Sequence, residues 1–244
     1  EMVILVFMIL SGIHFGLLFT AVRGKASDLW RSSMVRYYLL ALMIGVLVTT
    51  INIHGRQLFG WGASLRYAAF QVISLGTSTG FATIDTSGWP SFSQLVLIFL
   101  TLQCACAGST SGGIKVDRIV IFWKGLLKRI AKTRHPHVVI APKINGVPIE
   151  DDVIEATVLY ITLYIGIVFL SSLIITALGV DALSAFSGSA ATMGNVGPGF
   201  GIVGSMNNFS QIPDAGKWVL TLNMLLGRLE IFGVILFVTA RSWK

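Results

Sequence analysis

The sequence predicts an all-α polytopic membrane protein built from repeated units of helix, re-entrant pore helix with a glycine-rich loop, and helix. Three observations predict it. Of 244 residues, 54% are hydrophobic and 12% charged, and the mean hydropathy is +0.79; soluble domains are about a quarter charged. Uncharged runs of membrane-crossing length recur along the chain. Shorter apolar stretches lie between them, and two of these lead into glycine-rich polar segments. Disorder is excluded, since it needs low hydrophobicity and high charge. The 26 glycines follow no period, which excludes a collagen-like chain.

A run of about 20 apolar residues crosses the hydrocarbon core. The first run is 2–21. Glu1 abuts it and no Met precedes it, so the sequence reads as a piece of a longer protein. The second run, 37–53, is slightly short. The third, 92–107, meets GSTSGGIK and resumes at 116–123. The fourth is 153–178. The last, 218–240, carries Arg228 and Glu230 inside it.

Stretches 63–75 and 182–192 are too short to span and suit re-entrant helices. They lead into GTSTGFATIDTSGWP and MGNVGPGFGIVG. Irregular backbone at membrane depth survives only when buried in protein or lining a watery cavity.

The net charge of +7 raises the question of nucleic acid. In a membrane protein, Lys and Arg instead mark cytoplasmic loops, so no nucleic-acid partner is expected. Arg23, Lys25, Arg31 and Arg36 lie in 22–36, eight basic residues in 115–152, and Arg241 and Lys244 in the tail. That side is cytoplasmic, and the short helices enter from the outer face. The amphipathic segment KGLLKRIAK continues the third helix into the cytoplasm, against membrane lipid or a partner.

The order helix, short helix, loop, helix occurs twice, over 36–123 and 153–240. Thr77, Ser78, Thr79, Gly80 and Phe81 register on Gly194, Asn195, Val196, Gly197 and Pro198. Moving 31 residues on from Gly80 reaches Ser111, and from Gly197 reaches Arg228. The interrupted part of one helix thus matches the charged part of the other. The first helix fits neither copy.

This arrangement suits cation conduction. A pore helix aims the partial negative charge of its C-terminus at the membrane centre. The following backbone offers carbonyl oxygens in place of an ion's water shell. Glycine supplies positive φ, and Thr and Ser add hydroxyl oxygens. The competing reading is a pair of ordinary extramembrane loops. Gly108, Ser109, Thr110, Ser111, Gly112 and Gly113 disfavour continuous helix. They form either a movable barrier under the filter or a simple kink.

Arg228 at membrane depth costs at least about 2.5 kcal/mol and needs an interior partner. Carbonyls of 108–114 or of a filter loop are the candidates. Glu230 lies on another helix face. A cation beside a cation pathway raises a barrier; the plainer reading is a structural buried pair.

Cys104 and Cys106 are too close for an easy disulfide and read as buried packing residues. His14 and His54 read as structural, and His135 and His137 as solvated. Asp85, Asp181 and Asp214 either enrich cations at the outer mouth or serve as turn and cap residues. No nucleophile–base pair, zinc motif or phosphate loop occurs. The reading is therefore no enzyme, no catalytic residue and no bound cofactor, with potassium as cargo on backbone carbonyls.

The stretches TSTGFATIDTSGWPSF, CAGSTSGGIKV, GNVGPGFG, KWVLTLNMLLGRLEIFGV and the SGIHFGLLF…RGK start resemble the Trk/Ktr/HKT superfamily of potassium transporters, specifically the bacterial Trk-type membrane subunit. The resemblance covers essentially the whole chain. It implies M1–P–M2 units as in potassium channels, four around one pore. Residues 1–22 would then end a preceding repeat, 23–124 form the third, 125–152 a basic cytoplasmic linker and 153–244 the fourth. It makes Gly80 and Gly197 filter glycines, 108–114 the intramembrane gating loop and Arg228 the pore-facing arginine.

The resemblance further implies the bacterial inner membrane, the N-terminal repeats of the same protein, a homodimer, and a cytoplasmic ring that binds any nucleotide. The fourth filter lacks the Thr/Ser-rich form of the third. With two repeats missing, residues 1–244 alone are expected not to conduct. The alternative function is a non-conducting, channel-like scaffold or sensor for a cytoplasmic partner.

Overall fold

A computed structural model of the chain describes residues 1–56, 59–135 and 141–240. His137, Arg241 and Lys244 lie outside the described residues. Helices α1 (Met2–Ser11), α2 (Phe15–Val22) and α3 (Ser27–Arg31) precede the long α4 (Ser33–Gly55). The short α5 (Trp61–Gly76) and a loop then lead to α6 (Ser91–Gln103) and α7 (Val116–Arg134). A hairpin of β1 (Lys143–Ile144) and β2 (Val147–Pro148) follows. The same order returns as α8 (Asp151–Ala177), the short α9 (Ala182–Met193), a loop, α10 (Asp214–Arg228) and α11 (Ile231–Ala240).

Burial separates two kinds of helix. The last seven residues of α5 and the last seven of α9 are all buried. By contrast, α4 exposes Leu40, Met43, Ile44, Leu47 and Ile51, and α8 exposes Leu159, Ile165, Phe169, Leu170 and Leu173. Apolar side chains facing outward suit a lipid solvent, where burying such side chains between helices drives nothing. α4 packs on α5 and α6, α8 packs on α9 and α10, and α6 meets α9 to join the groups. Tyr38, Ile53, Val72, Leu97, Tyr164 and Val168 form the core.

Two described helices are long and apolar enough to cross a membrane: α4, with hydropathy 1.9, and α8, with 2.4. Five apolar runs were expected to cross, and the other three are all broken. The first run bends by 111° between α1 and α2. His14 therefore does not sit inside a helix; it caps α2, its Nδ1 accepting from Gly16 N at 3.0 Å. The third run breaks at Cys104, four residues before GSTSGGIK, because Cys104 has φ 54°. The last run breaks at residues 229–230, where Glu230 has φ 59°. A single left-handed residue ends a right-handed helix, and hydropathy alone does not reveal it.

The basic segment after α7 carries the β1–β2 hairpin. Asn145 (φ 49°) and Gly146 (φ 84°) form its two-residue hairpin turn, the Asn-Gly pair such turns favour. Asn145 Oδ1 accepts from Ser33 N at 2.9 Å, capping α4.

Candidate functional site

The loop after α5 turns its N–H groups back onto that helix. Thr77 N donates to Ile73 O at 2.9 Å, Ser78 N to Leu75 O at 3.2 Å, and Thr79 N and Gly80 N to Ser74 O at 3.0 and 3.4 Å. Ser78 (φ 57°) and Gly80 (φ 72°) are left-handed. In a backbone of alternating hand, successive N–H groups converge on one side, leaving the carbonyls to face the other. Among the described residues, no hydrogen bond reaches the carbonyls of 77–80.

The loop after α9 repeats this. Gly194 N, Asn195 N and Val196 N donate to Ala190, Thr192 and Ala191 carbonyls at 2.9, 3.1 and 2.9 Å. Asn195 (φ 53°) and Gly197 (φ 109°) are left-handed, at the register positions of Ser78 and Gly80. The carbonyls of 194–197 likewise accept no hydrogen bond among the described residues.

The first loop's hydroxyls donate within the protein. Thr77 Oγ1 donates to Ile73 O at 2.8 Å, Thr79 Oγ1 to Ser74 O at 3.1 Å, and Ser78 Oγ to Cys104 Sγ at 3.1 Å. A hydroxyl that donates keeps lone pairs with which to accept.

The two loops touch. A Cβ on Gly80 would lie 2.1 Å from Val196 O and 3.1 Å from Pro198 Cδ. Only glycine fits there, for both the close approach and the positive φ.

Residues 104–115 leave the line of α6 and return to it. Ile114 N, Lys115 N and Val116 N donate to Leu102, Gln103 and Ala105 carbonyls at 3.0, 2.9 and 3.0 Å, closing the excursion at its neck. Its far side presses on the second loop: a Cβ on Gly112 would lie 2.4 Å from Gly194 O. Another flank docks on the α1–α2 break. Cys106 N donates to Gly12 O and Phe15 N to Gly108 O, both at 3.1 Å, and Thr110 Oγ1 to Ser11 O at 3.3 Å.

Arg228 Nη1 donates to Thr110 O at 2.8 Å, so of the two candidate partners it takes the 108–114 segment. Glu230 pairs with Lys115 Nζ at 2.9 Å and Arg118 Nη2 at 2.8 Å. The Arg118 guanidinium also lies 3.9 Å from the Tyr160 ring centroid. Glu230, expected on a different helix face from Arg228, finds its partners at the start of α7. The basic pair Lys115 and Arg118 after one helix break and the acidic Glu230 in the other were the available signal.

The remaining residues make local contacts. Asp181 caps α9, Oδ2 accepting from Ser184 N at 3.0 Å, and this hydrogen bonding holds its carboxyl below the ordinary aspartate value. Asp85 closes a turn onto Ser87 N at 2.8 Å, and Asp214 pairs with Lys217 at 2.9 Å. His54 stacks on Trp61 at 3.8 Å. Cys104 and Cys106 are buried. Among the described residues, no cluster of His, Cys, Asp and Glu could hold a metal ion.

Residues 1–244 match the family model "TrkH: Cation transport protein". The chain is 32% identical over 244 residues to the Trk system potassium uptake protein TrkH of Salmonella typhimurium, covering 99% of this chain and 50% of that protein. It is 34% identical to the Trk system potassium uptake protein TrkI of Halomonas elongata, covering 98% and 48%. Among solved structures it is similar to the potassium transporter TrkH from Vibrio parahaemolyticus, with a TM-score of 0.89, 31% identity, and coverage of 98% of this chain and 52% of that one. The chain spans about half the length of these relatives.

Proposed function

This chain belongs to the TrkH family of cation transport proteins, a family of transporters and not of enzymes, and from that premise we propose that it lines half of a potassium uptake pathway across the bacterial inner membrane. The carrying observation is that the carbonyls of 77–80 accept no hydrogen bond among the described residues while Gly80 packs against the Val196 carbonyl. Carbonyls replace a potassium ion's hydration shell when several converge without other partners. The α5 and α9 C-termini add negative potential at the same spot. The relatives' names, each a Trk potassium uptake protein, support potassium as the ion. Thr77, Ser78, Thr79 and Gly80 form one filter segment and Gly194, Asn195, Val196 and Gly197 another. The remaining repeats of the same protein complete the ring.

The segment 108–114 of the 104–115 excursion lies against the second filter segment through Gly112 and acts as the gate. Arg228 holds it at Thr110 O, and its charge opposes cation passage until the contact breaks. The basic α7 and the hairpin engage a cytoplasmic nucleotide-binding ring, so nucleotide acts only through that partner. The membrane subunit forms a homodimer, and no cofactor resides in this chain.

The test uses the complete protein with its partner in potassium-uptake-deficient cells. Gly80→Asp should abolish rubidium uptake while membrane insertion is retained. Undiminished uptake in that variant would remove the filter assignment, whereas no uptake by the complete, partner-supplied parent would favour the scaffold.

A further inference from the structure

Ser78 is not a glycine, yet it sits at φ 57°. A left-handed conformation is unfavourable for a side-chain-bearing residue, and it persists only where its surroundings over-determine it. Its N–H is bound to Leu75 O, and its hydroxyl makes one hydrogen bond among the described residues, to Cys104 Sγ at 3.1 Å.

Cys104 is a fixed anchor. It is itself left-handed, at φ 54°, with its N–H on Leu100 O at 2.9 Å. Its thiol donates to Thr101 O at 2.9 Å, so the sulfur is left as acceptor for Ser78. Its sulfur packs on Gly113, where a Cβ would come within 2.5 Å. The chain of bonds runs Ser78 O–H to Cys104 S–H to Thr101 O, and Thr101 O abuts Gly194, whose Cβ would lie 2.8 Å away.

The second loop uses the same device at the same register position. Asn195 is left-handed, and its Nδ2 donates to Met224 O at 3.2 Å on α10. In each loop the left-handed residue with a side chain is tied by that side chain to the inner helix of its own half.

We propose that Cys104 is a specificity-determining positioning residue: by accepting the Ser78 hydroxyl it fixes the hand of Ser78, and through it the spread of the 77–80 carbonyls that tell potassium from sodium. The proposal rests on the filter reading of these residues. The size of the carbonyl cage and the number and field strength of its carbonyls govern discrimination, so loosening the tether changes selectivity.

The experiment measures potassium and sodium uptake by the complete protein with its partner. Cys104→Ala should lower the potassium-to-sodium preference about 10-fold, the scale of one released left-handed residue, with the maximal potassium rate kept. Cys104→Ser, which keeps an acceptor, should restore the preference. Ser78→Gly should restore it in the Cys104→Ala background, because glycine takes the left-handed form unaided. If Cys104→Ala fails to accumulate, Ser78→Ala removes the same bond from the other side and should give the same loss. Unchanged selectivity in Cys104→Ala or Ser78→Ala, or no rescue by Ser78→Gly, overturns the tether. Gly80→Asp run in parallel separates the failures: if it abolishes uptake while the tether variants are silent, the filter reading stands and this proposal falls.

Discussion

The loops after α5 and α9 arrive at one backbone shape by different chemistry. Both place a left-handed side-chain-bearing residue second and a left-handed glycine fourth: Ser78 and Gly80 in one, Asn195 and Gly197 in the other. Hydroxyls fold the first loop onto α5, and the carboxamide of Asn195 ties the second to α10. What the two share is the direction of the N–H groups, toward the helix end, and thus the direction of the carbonyls. Threonine content is one way to reach that shape and not a requirement for it. The inner helices differ more: 104–115 is a closed excursion, whereas 229–230 is a two-residue break.

The largest expected effect tests the fourth position. Gly80→Ala meets both positive φ and the Val196 carbonyl, while Gly197→Ala at φ 109° meets nothing within 4 Å among the described residues. Strain alone amounts to about 1–2 kcal/mol; the clash at Gly80 comes on top. Rubidium uptake should fall more than about 10-fold for Gly80→Ala and distinctly less for Gly197→Ala. Equal losses would mean that the loops do not differ in packing.

Next comes the contact between the breaks. Arg228→Gln weakens the hold on Thr110 O and removes a cation from the pathway. Uptake at limiting partner concentration should rise several-fold, on the order of one charge-assisted hydrogen bond; lower uptake would give Arg228 a purely structural role.

A smaller effect belongs to Glu230. Its carboxylate is partly exposed and so partly screened. Coupling to Lys115, measured as a double-mutant cycle of Glu230→Gln and Lys115→Met in thermal unfolding, should be about 1 kcal/mol or less and should shrink with salt. No coupling would detach the end of the excursion from the last helix.

The smallest effect contrasts the starts of the short helices. α9 has the Asp181 cap, whereas α5 begins at Gly60 with no side-chain cap. Asp181→Ala should cost about 1 kcal/mol at neutral pH. The Asp181 carboxyl is depressed in the folded state. Its contribution is therefore present above the ordinary aspartate pKa and lost as pH falls through the folded value. Melting curves of parent and variant should converge on acidification; a constant gap would assign the cap a neutral role.

Much of the fold was legible because hydropathy reports lipid-facing surface. The uncharged runs located α4 and α8, and the short apolar stretches located α5 and α9 to within two residues at each end. Three helix breaks were not legible in full. Two of them depend on one residue of unusual backbone, Cys104 or Glu230, whose side chains do not advertise a left-handed conformation. The glycines and serines of 108–113 marked an interruption but not its start. Of the site, the loop register was visible because glycine and small polar residues cluster there. The partners of Ser78, Asn195 and Glu230 were not, because each lies on another helix and only packing brings them together.

The docking of 104–110 onto the α1–α2 break has a consequence for how the chain is made. Gly12 O and Phe15 N, which bond this excursion, are synthesised long before Cys106 and Gly108 emerge. At roughly 5–20 residues per second, the early segment waits several seconds with an open helix end before its late partner arrives. The excursion finds its cradle already inserted. A defect at Ser11, Gly12 or His14 would thus surface during biogenesis, as a late inner helix released into the bilayer with its polar backbone unclaimed and handed to quality-control proteolysis.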